Sequence, residues 1–214
     1  NINDSMADIA LKYKKFPLIN TLMVFSNTIS NELPVFFIIK YHDIEMLGYF
    51  MLANRILVIP MNLLGTSIGK VYFQKASQIS HGNNLDLYNL YRKTTLQLIK
   101  IGFVSFVLIA LFSSTLIELV FGNPWMKSSI IIKIMAIGMF FKFITSPIST
   151  TFTILNKQEF SFFITLISLL FRFSVMLYFN ESLVSMLLAL SLSSAIYYAI
   201  FHIFIYKLLL TKKG

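Results

Sequence analysis

The sequence lacks cysteine altogether and has little histidine, which removes two common kinds of functional site. None of its 214 residues is cysteine, so disulfide bridges and thiolate metal sites are excluded. The three histidines, His42, His81 and His202, stand far apart and form no motif with the spacing of metal ligands. We therefore expect no metal site, no cofactor and no catalytic constellation.

Charge is also scarce, and long apolar runs take its place. Charged residues make up 13% of the chain, whereas hydrophobic residues make up 57% and aromatic residues 15%. A soluble domain carries about 25% charged residues. The composition therefore predicts an all-α polytopic membrane protein. The net charge of +9 alone would be compatible with nucleic-acid binding, but the cations are distributed as in a membrane protein, and we expect no nucleic-acid partner.

Six apolar stretches are long enough to cross a membrane. A hydrocarbon core about 30 Å thick requires roughly 20 mostly apolar residues per helix. The predicted transmembrane helices are residues 16–39, 46–73, 96–121, 130–155, 160–179 and 183–210, within a single domain, 1–214. The chain opens on "NIND", without a start methionine or a signal peptide, so we expect it to be a segment of a longer protein.

Lysine and arginine are divided unevenly between the two ends of these helices. An even number of helices places both termini on one side. That side holds twelve cations, Lys12, Lys14, Lys15, Lys70, Lys75, Arg92, Lys93, Lys100, Lys157, Lys207, Lys212 and Lys213. The other side holds three, Lys40, Lys127 and Lys133. The positive-inside rule therefore predicts that both ends of the chain are cytoplasmic.

The remaining three cations, Arg55, Lys142 and Arg172, and the carboxylate Glu32 lie inside the predicted helices. A charge at the centre of a transmembrane helix costs about 2.5–3.5 kcal/mol even on a lenient scale. Lipid cannot satisfy such groups, so we expect them to converge on a shared aqueous cavity. Three cations against one carboxylate predict an anionic ligand such as phosphate or pyrophosphate, for which arginine offers bidentate contact and lysine a point charge.

Polar stripes at helical spacing accompany these charges. In the first helix Asn27 and Asn31 share a face, and in the second Arg55 and Asn62 do. The fifth helix places a stripe of hydroxyl side chains in line with its arginine, namely Ser161, Thr165, Ser168 and Arg172. The predicted substrate-binding residues are therefore Arg55, Lys142, Arg172, Asn27, Asn31 and Asn62.

Glu32 has two possible roles, as a coupling site for an ion or as a partner that pairs with Arg55 and braces two helices. Lys142 and Arg172 could instead extend along the helix surface toward the membrane interface. Gly65 and Gly69 have the spacing of a helix-packing patch.

Residues 12 to 80 also carry a pattern of motifs. "KYKKFPL" and "NTISNELPVFFI" precede "LGYFMLANRILVIPMNLLGTSIGKVYFQKAS", in which a Gly-Tyr pair is followed by Ala-x-Arg, a proline, Gly-x-Val and Gln-x-Ala-Ser. This segment resembles the Wzx-type polysaccharide flippases, which belong to a superfamily with the multidrug and toxin extrusion transporters. The resemblance implies a twelve-helix protein of two six-helix lobes, of which this chain is the carboxy-terminal lobe.

The same resemblance implies a function. A chain of this kind flips undecaprenyl-pyrophosphate-linked oligosaccharides across the bacterial inner membrane by alternating access. The expected partners are the lipid-linked oligosaccharide pyrophosphate, membrane lipid, the absent amino-terminal lobe and other membrane proteins of polysaccharide assembly.

Two other functions compete with this one. An exporter of another small or anionic solute is an alternative, although drug exporters with cationic substrates would favour an acidic cavity. A membrane-bound glycan polymerase or acyltransferase would need acid–base residues at a water-facing loop. Only "YHDIE" offers a cluster of that kind, and a solvated connection explains it more simply. We therefore predict a protein that is not an enzyme.

Overall fold

The computed structural model describes residues 15–80 and 84–211, and this part of the chain is helical apart from short connections. The α-helices are α1 Lys15–Tyr41, α2 Ile44–Pro60, α3 Thr66–Ile79, α4 Asn84–Phe121, α5 Lys127–Thr145, α6 Thr151–Ile154, α7 Gln158–Tyr178 and α8 Leu183–Thr211. No strand occurs within these two ranges. The predicted all-α fold class is confirmed.

Six helical segments of the described chain are long and apolar enough to cross a membrane, so the chain is a multi-pass membrane protein. We refer to them as spans one to six, and they are Thr21–Tyr41, Ile44–Ile79, Leu85–Phe121, Asn123–Ile154, Gln158–Tyr178 and Leu183–Leu210. They overlap the six predicted stretches in the same order. Lys12, Lys14, Lys212 and Lys213 lie outside the described residues, and the sidedness of the termini stays a prediction.

Spans two and four are each interrupted near a proline. Span two runs from α2 through the π-helical segment Met61–Gly65, which directly follows Pro60, into α3. Span four runs from α5 through the 3-10 segment Ser146–Ile148, which contains Pro147, into α6. Proline has no N–H to donate and its ring crowds the preceding turn, so the regular helix cannot continue unchanged. Each interruption therefore alters which side chains face inward.

The two interruptions pack against each other. A Cβ atom added to Gly69 would lie 3.3 Å from the Cα atom of Pro147, and one added to Gly65 would lie 3.7 Å from Phe143. The absence of side chains at these glycines lets the two spans approach closely. The glycine pair therefore forms a contact between helices, as its spacing indicated.

Spans four and six approach even more closely at Gly138. The amide of Gly138 donates a hydrogen bond to Ser191 Oγ at 2.9 Å. A Cβ atom at Gly138 would lie 3.0 Å from the carbonyl oxygen of Ser191. Apolar side chains buried on both sides of this crossing, among them Ile132, Met135 and Leu187, complete the core. This crossing fixes the position of span six against span four.

The beginning of span two is joined to the beginning of span four by a polar and aromatic cluster. Lys127 Nζ lies 3.7 Å from Glu45 Oε1, and the hydroxyl of Tyr49 donates to the same carboxylate. The ring of Trp125 meets the ring of Tyr49 edge-on, with 5.8 Å between the centroids. Glu45, one of the candidates in the "YHDIE" segment, therefore helps to hold two helix ends together.

Tyr72 ties α3 to α6 just beyond the two interruptions. Its side chain is buried, and its hydroxyl oxygen lies 2.6 Å from Thr151 Oγ1. Since Thr151 donates to the carbonyl oxygen of Ile148 at 2.7 Å, Tyr72 is the donor in this pair. We expect Tyr72→Phe to lower the free energy of unfolding by about 1 kcal/mol, the usual contribution of one buried hydrogen bond.

Thermal unfolding of the purified protein in detergent measures this effect. Tyr178→Phe is the matched control because Tyr178 is 80% exposed, and it should leave the melting temperature unchanged. Equal melting temperatures for Tyr72→Phe and the wild type would contradict the assigned bond.

Candidate functional site

A polar cavity of about 500 Å³ lies among spans one, four, five and six. Its wall is made mainly of hydroxyl, amide and cationic side chains. We call it the polar cavity and define it by the side chains of Asn27, Ser30, Asn31, Lys142, Thr145, Ser149, Ser161, Thr165, Ser168, Arg172, Tyr197 and Tyr198. Such a wall inside a membrane protein is satisfied only by water, by other protein groups or by a ligand.

Span five contributes its predicted stripe to this wall. The side chains of Ser161, Thr165, Ser168 and Arg172 are all buried and lie on one face of α7. The opposite face carries exposed apolar residues such as Phe163, Ile167 and Leu170. Because of the helical period, Arg172, the one cation of α7, faces inward. The alternative in which Arg172 extends to the membrane interface is wrong.

Arg172 is held by neutral groups. Its side chain is 6% exposed, and Nη1 donates a hydrogen bond to Ser30 Oγ at 2.8 Å. The guanidinium carbon lies 5.3 Å from the ring centroid of Tyr197 and 5.5 Å from that of Tyr198, which are cation–π distances. Nε is buried without a hydrogen-bond partner. The guanidinium thus has an N–H donor, at Nε, that no described protein group accepts.

No carboxylate balances this charge within the described residues. The ion pair between Lys127 and Glu45 lies at the beginnings of spans two and four, and neither residue lines the polar cavity. A buried charge without a counter-charge is costly unless a ligand or water accompanies it. The charge of Arg172 therefore makes the polar cavity electrostatically suited to an anion.

Lys142 supplies the second cation. It is half-buried on α5, one turn before the 3-10 segment, and its Nζ donates to Asn31 Oδ1 at 2.9 Å. This bond links span four to span one, so the alternative in which Lys142 extends outward is wrong. Lys142, Arg172, Asn27 and Asn31 all line the polar cavity, so the structure brings together these four predicted residues.

A smaller cavity of about 240 Å³ adjoins the first one. Both cavities are lined by Lys142 and Arg172, and the smaller one is also lined by Glu32 and Asn54. The side chain of Glu32 is exposed, and it forms no ion pair with any cation of the described chain. The brace between Glu32 and Arg55 is therefore not present, and a coupling role for Glu32 stays a prediction.

Arg55 and Asn62 lie elsewhere. Arg55 is exposed on α2, and it lines neither of the two cavities. The buried face of α2 is apolar and is formed by residues such as Ala53 and Leu57. Asn62 lines a separate groove beside the glycine pair. The structure does not bring these two residues to the polar cavity, and their binding role stays a prediction.

Two important residues of the cavity were not predicted from the sequence. Ser30 accepts the hydrogen bond from Arg172, and Tyr197 both flanks the guanidinium and lies 3.2 Å, hydroxyl to hydroxyl, from Thr165. For Tyr197 the sequence did contain a signal, the Tyr197–Tyr198 pair in the middle of an apolar helix. A tyrosine hydroxyl in such a position requires a polar partner.

The arrangement is suited to a phosphate-containing ligand with a hydroxyl-rich remainder. Two cations offer charge-assisted hydrogen bonds, and the amide and hydroxyl side chains can donate or accept. A volume of about 500 Å³ is within the usual range of small-molecule sites.

The family model for polysaccharide biosynthesis proteins matches residues 6–130, which is more than half of the chain. The match covers spans one to three and the beginning of span four, whereas Lys142 and Arg172 follow it in the sequence. No curated protein and no solved structure matches the chain. The chain is a multi-pass membrane protein that belongs to the polysaccharide biosynthesis protein family.

Proposed function

We propose that this chain is the carboxy-terminal lobe of a flippase that moves lipid-linked oligosaccharide pyrophosphates across the bacterial inner membrane. The observation that carries the proposal is the buried guanidinium of Arg172, which faces the polar cavity beside Lys142 and has no carboxylate partner among the described residues. A pyrophosphate would supply the missing negative charge and accept bidentate hydrogen bonds from arginine.

The neutral part of the cavity supports a sugar as the next part of the ligand. Sugar hydroxyls both donate and accept hydrogen bonds, as do the hydroxyls of Ser149 and Ser168 and the amide of Asn27. Membership of a polysaccharide biosynthesis family agrees with such a ligand. In this proposal the cations hold the phosphates and the hydroxyl-rich wall holds the first sugars.

The transport step is alternating access. The lobe would rock against an amino-terminal lobe so that the polar cavity opens first to the cytoplasm and then to the outside. Arg55 and Asn62 would contact the pyrophosphate or the sugars only in a conformation that turns the exposed face of span two toward the polar cavity. Glu32, beside the two cations, is the proposed coupling site.

Transport in proteoliposomes tests the proposal. The protein is reconstituted with a fluorescent polyprenyl-pyrophosphate-linked sugar, and a reagent that cannot cross the membrane reports the fraction of label in the outer leaflet. We expect the protein to accelerate the exchange of label between leaflets, because the cavity shields the charged head from hydrocarbon. The lipid should be recovered chemically unchanged, as the proposed role is not enzymatic.

Protein-free liposomes and the same lipid without pyrophosphate are the controls. Exchange no faster than in protein-free liposomes would contradict the proposal. Accumulation of a soluble sugar phosphate without any lipid exchange would instead identify an exporter of anionic solutes.

A further inference from the structure

We propose that a groove between spans two and four holds the hydrocarbon chain of the transported lipid, an inference that rests on the proposed function. The groove has a volume of about 530 Å³, and its surface is largely apolar. We call it the tail groove and define it by the side chains of Met61, Thr66, Lys70, Phe73, Phe143 and Pro147.

The tail groove is long enough to hold part of a lipid chain. It follows span two from Met61 to Phe73, and twelve residues at a rise of 1.5 Å correspond to about 18 Å. That length is a little more than half of a hydrocarbon core about 30 Å thick. A groove of this length can hold part of a hydrocarbon chain, but not all of a long polyprenyl chain.

The interruptions of the two spans create this space. The π-helical segment Met61–Gly65 and the 3-10 segment Ser146–Ile148 bring irregular backbone to the same level. Gly65 and Gly69 line the groove without contributing side-chain volume. A regular helix with ordinary side chains at these positions would fill the groove.

Lys70 gives the groove a polarity that matches an anionic lipid. Its side chain is exposed near one end of the groove, next to Phe73, and it forms neither an ion pair nor a hydrogen bond with the described residues. A lysine ammonium at the end of an apolar channel complements a lipid whose head carries phosphate. Met61 and Phe143 are farther along the groove and offer only apolar contact.

The tail groove adjoins the polar cavity, and this feature selects the occupant. Ser146 and Thr150 line both of them, so the interruption of span four is a shared wall. In this proposal a single ligand places its charged head beside Lys142 and Arg172 and passes its chain across that wall toward Phe143. Binding of a bulk phospholipid would not explain why the groove lies next to the polar cavity. We therefore assign the groove to the polyprenyl chain of the substrate.

Thr66→Trp tests this assignment by filling the groove. The hydroxyl of Thr66 bonds only to the carbonyl oxygen of Asn62 one turn earlier, at 2.7 Å, so the core is left intact. We expect the affinity for a polyprenyl pyrophosphate to fall at least about tenfold, the loss that follows when a few methylene groups leave an apolar wall. The affinity for inorganic pyrophosphate, which has no chain, should stay unchanged.

Val71→Trp is the matched control, because Val71 is 51% exposed on the same helix but does not line the groove. Equal losses for the two tryptophan variants, or no loss for Thr66→Trp, would overturn the assignment. Failure of the wild type to bind inorganic pyrophosphate would count against the proposed function, whatever the groove holds.

A second measurement uses the wild-type protein and does not depend on how the variant folds. A polyprenyl pyrophosphate with a photoreactive diazirine on its chain should label residues between Met61 and Phe73. Label confined to other segments, or label that phosphatidylglycerol competes away as well as unlabelled polyprenyl pyrophosphate does, would show that the groove holds bulk lipid.

Discussion

Replacing Arg172 with alanine should abolish display of the surface polysaccharide while the protein still inserts into the membrane. The substitution removes a buried cation that has no carboxylate to leave behind, so the lobe should tolerate the change. Loss of a desolvated, charge-assisted contact typically costs 2–5 kcal/mol, so the affinity for pyrophosphate should fall about thirtyfold or more. Polysaccharide on intact cells and protein in isolated membranes are measured together.

Arg172→Lys separates charge from shape. Lysine keeps the positive charge, but it cannot present a planar fork or stack in the same way on Tyr197 and Tyr198. We expect intermediate display, between that of the wild type and that of the alanine variant. Arg92→Ala is the control, since Arg92 is exposed on α4 and lines none of the cavities described above. Normal polysaccharide with Arg172→Ala would refute the proposed role.

Arg55→Ala belongs in the same experiment. Arg55 is the other arginine that the sequence placed in the binding site, but it lies on the exposed face of α2. Loss of polysaccharide with Arg55→Ala would show that this face takes part in transport. Unchanged polysaccharide would confine the function to the cations of the polar cavity.

Gly138→Leu should prevent accumulation of folded protein. The position has no room for a side chain, because even a Cβ atom would lie 3.0 Å from the Ser191 carbonyl oxygen and 3.1 Å from its Cα atom. These are backbone contacts, so spans four and six would have to separate. Gly138→Ala should be milder and lower the free energy of unfolding by about 1–3 kcal/mol, as overpacked cores do.

The measurement is the yield and melting temperature of protein purified in detergent. Gly48→Ala is the matched control, because a Cβ atom at Gly48 would lie at an ordinary distance of 3.8 Å from Trp125. Gly138→Ala and Gly48→Ala with the same melting temperature would contradict the close crossing of spans four and six.

The sequence was informative wherever a helix shows a contrast between its faces. In span five the hydroxyl side chains and Arg172 occupy one face of the helix, and the exposed side chains of Phe163, Ile167 and Leu170 occupy the opposite face. The helical period alone therefore indicated the inward face. The number of membrane-crossing helices follows from length and apolarity, and it was predicted for the same reason.

Span two offered no such contrast. Apart from Asn54, the residues around Arg55 are apolar on every face, so the pattern did not reveal that Ala53, Ile56 and Leu57 would form the buried face. The π-helical segment Met61–Gly65 also breaks the regular period that related Arg55 to Asn62. The position of Arg55 was thus set by packing between helices, which a single sequence does not display.

Contacts between distant segments of the chain could not be predicted from the sequence either. Lys142 bonds to Asn31 and Arg172 to Ser30, across 111 and 142 positions of the chain. The sequence indicated that these cations needed polar partners, but the choice of partner depends on how spans one, four and five meet. Ser30 in particular gave no signal of its own.

Charges inside a membrane protein also respond to the voltage across the bilayer, and Lys142 and Arg172 form no ion pair with a described carboxylate. A potential of 100 mV across the bilayer acts on one elementary charge with about 2.3 kcal/mol. In the proposed transport cycle, an empty lobe that carries the charges of Lys142 and Arg172 would be drawn toward the negative face of the bilayer. A ligand with two negative charges would offset that force, so the voltage would return the empty lobe and leave the loaded one free to turn.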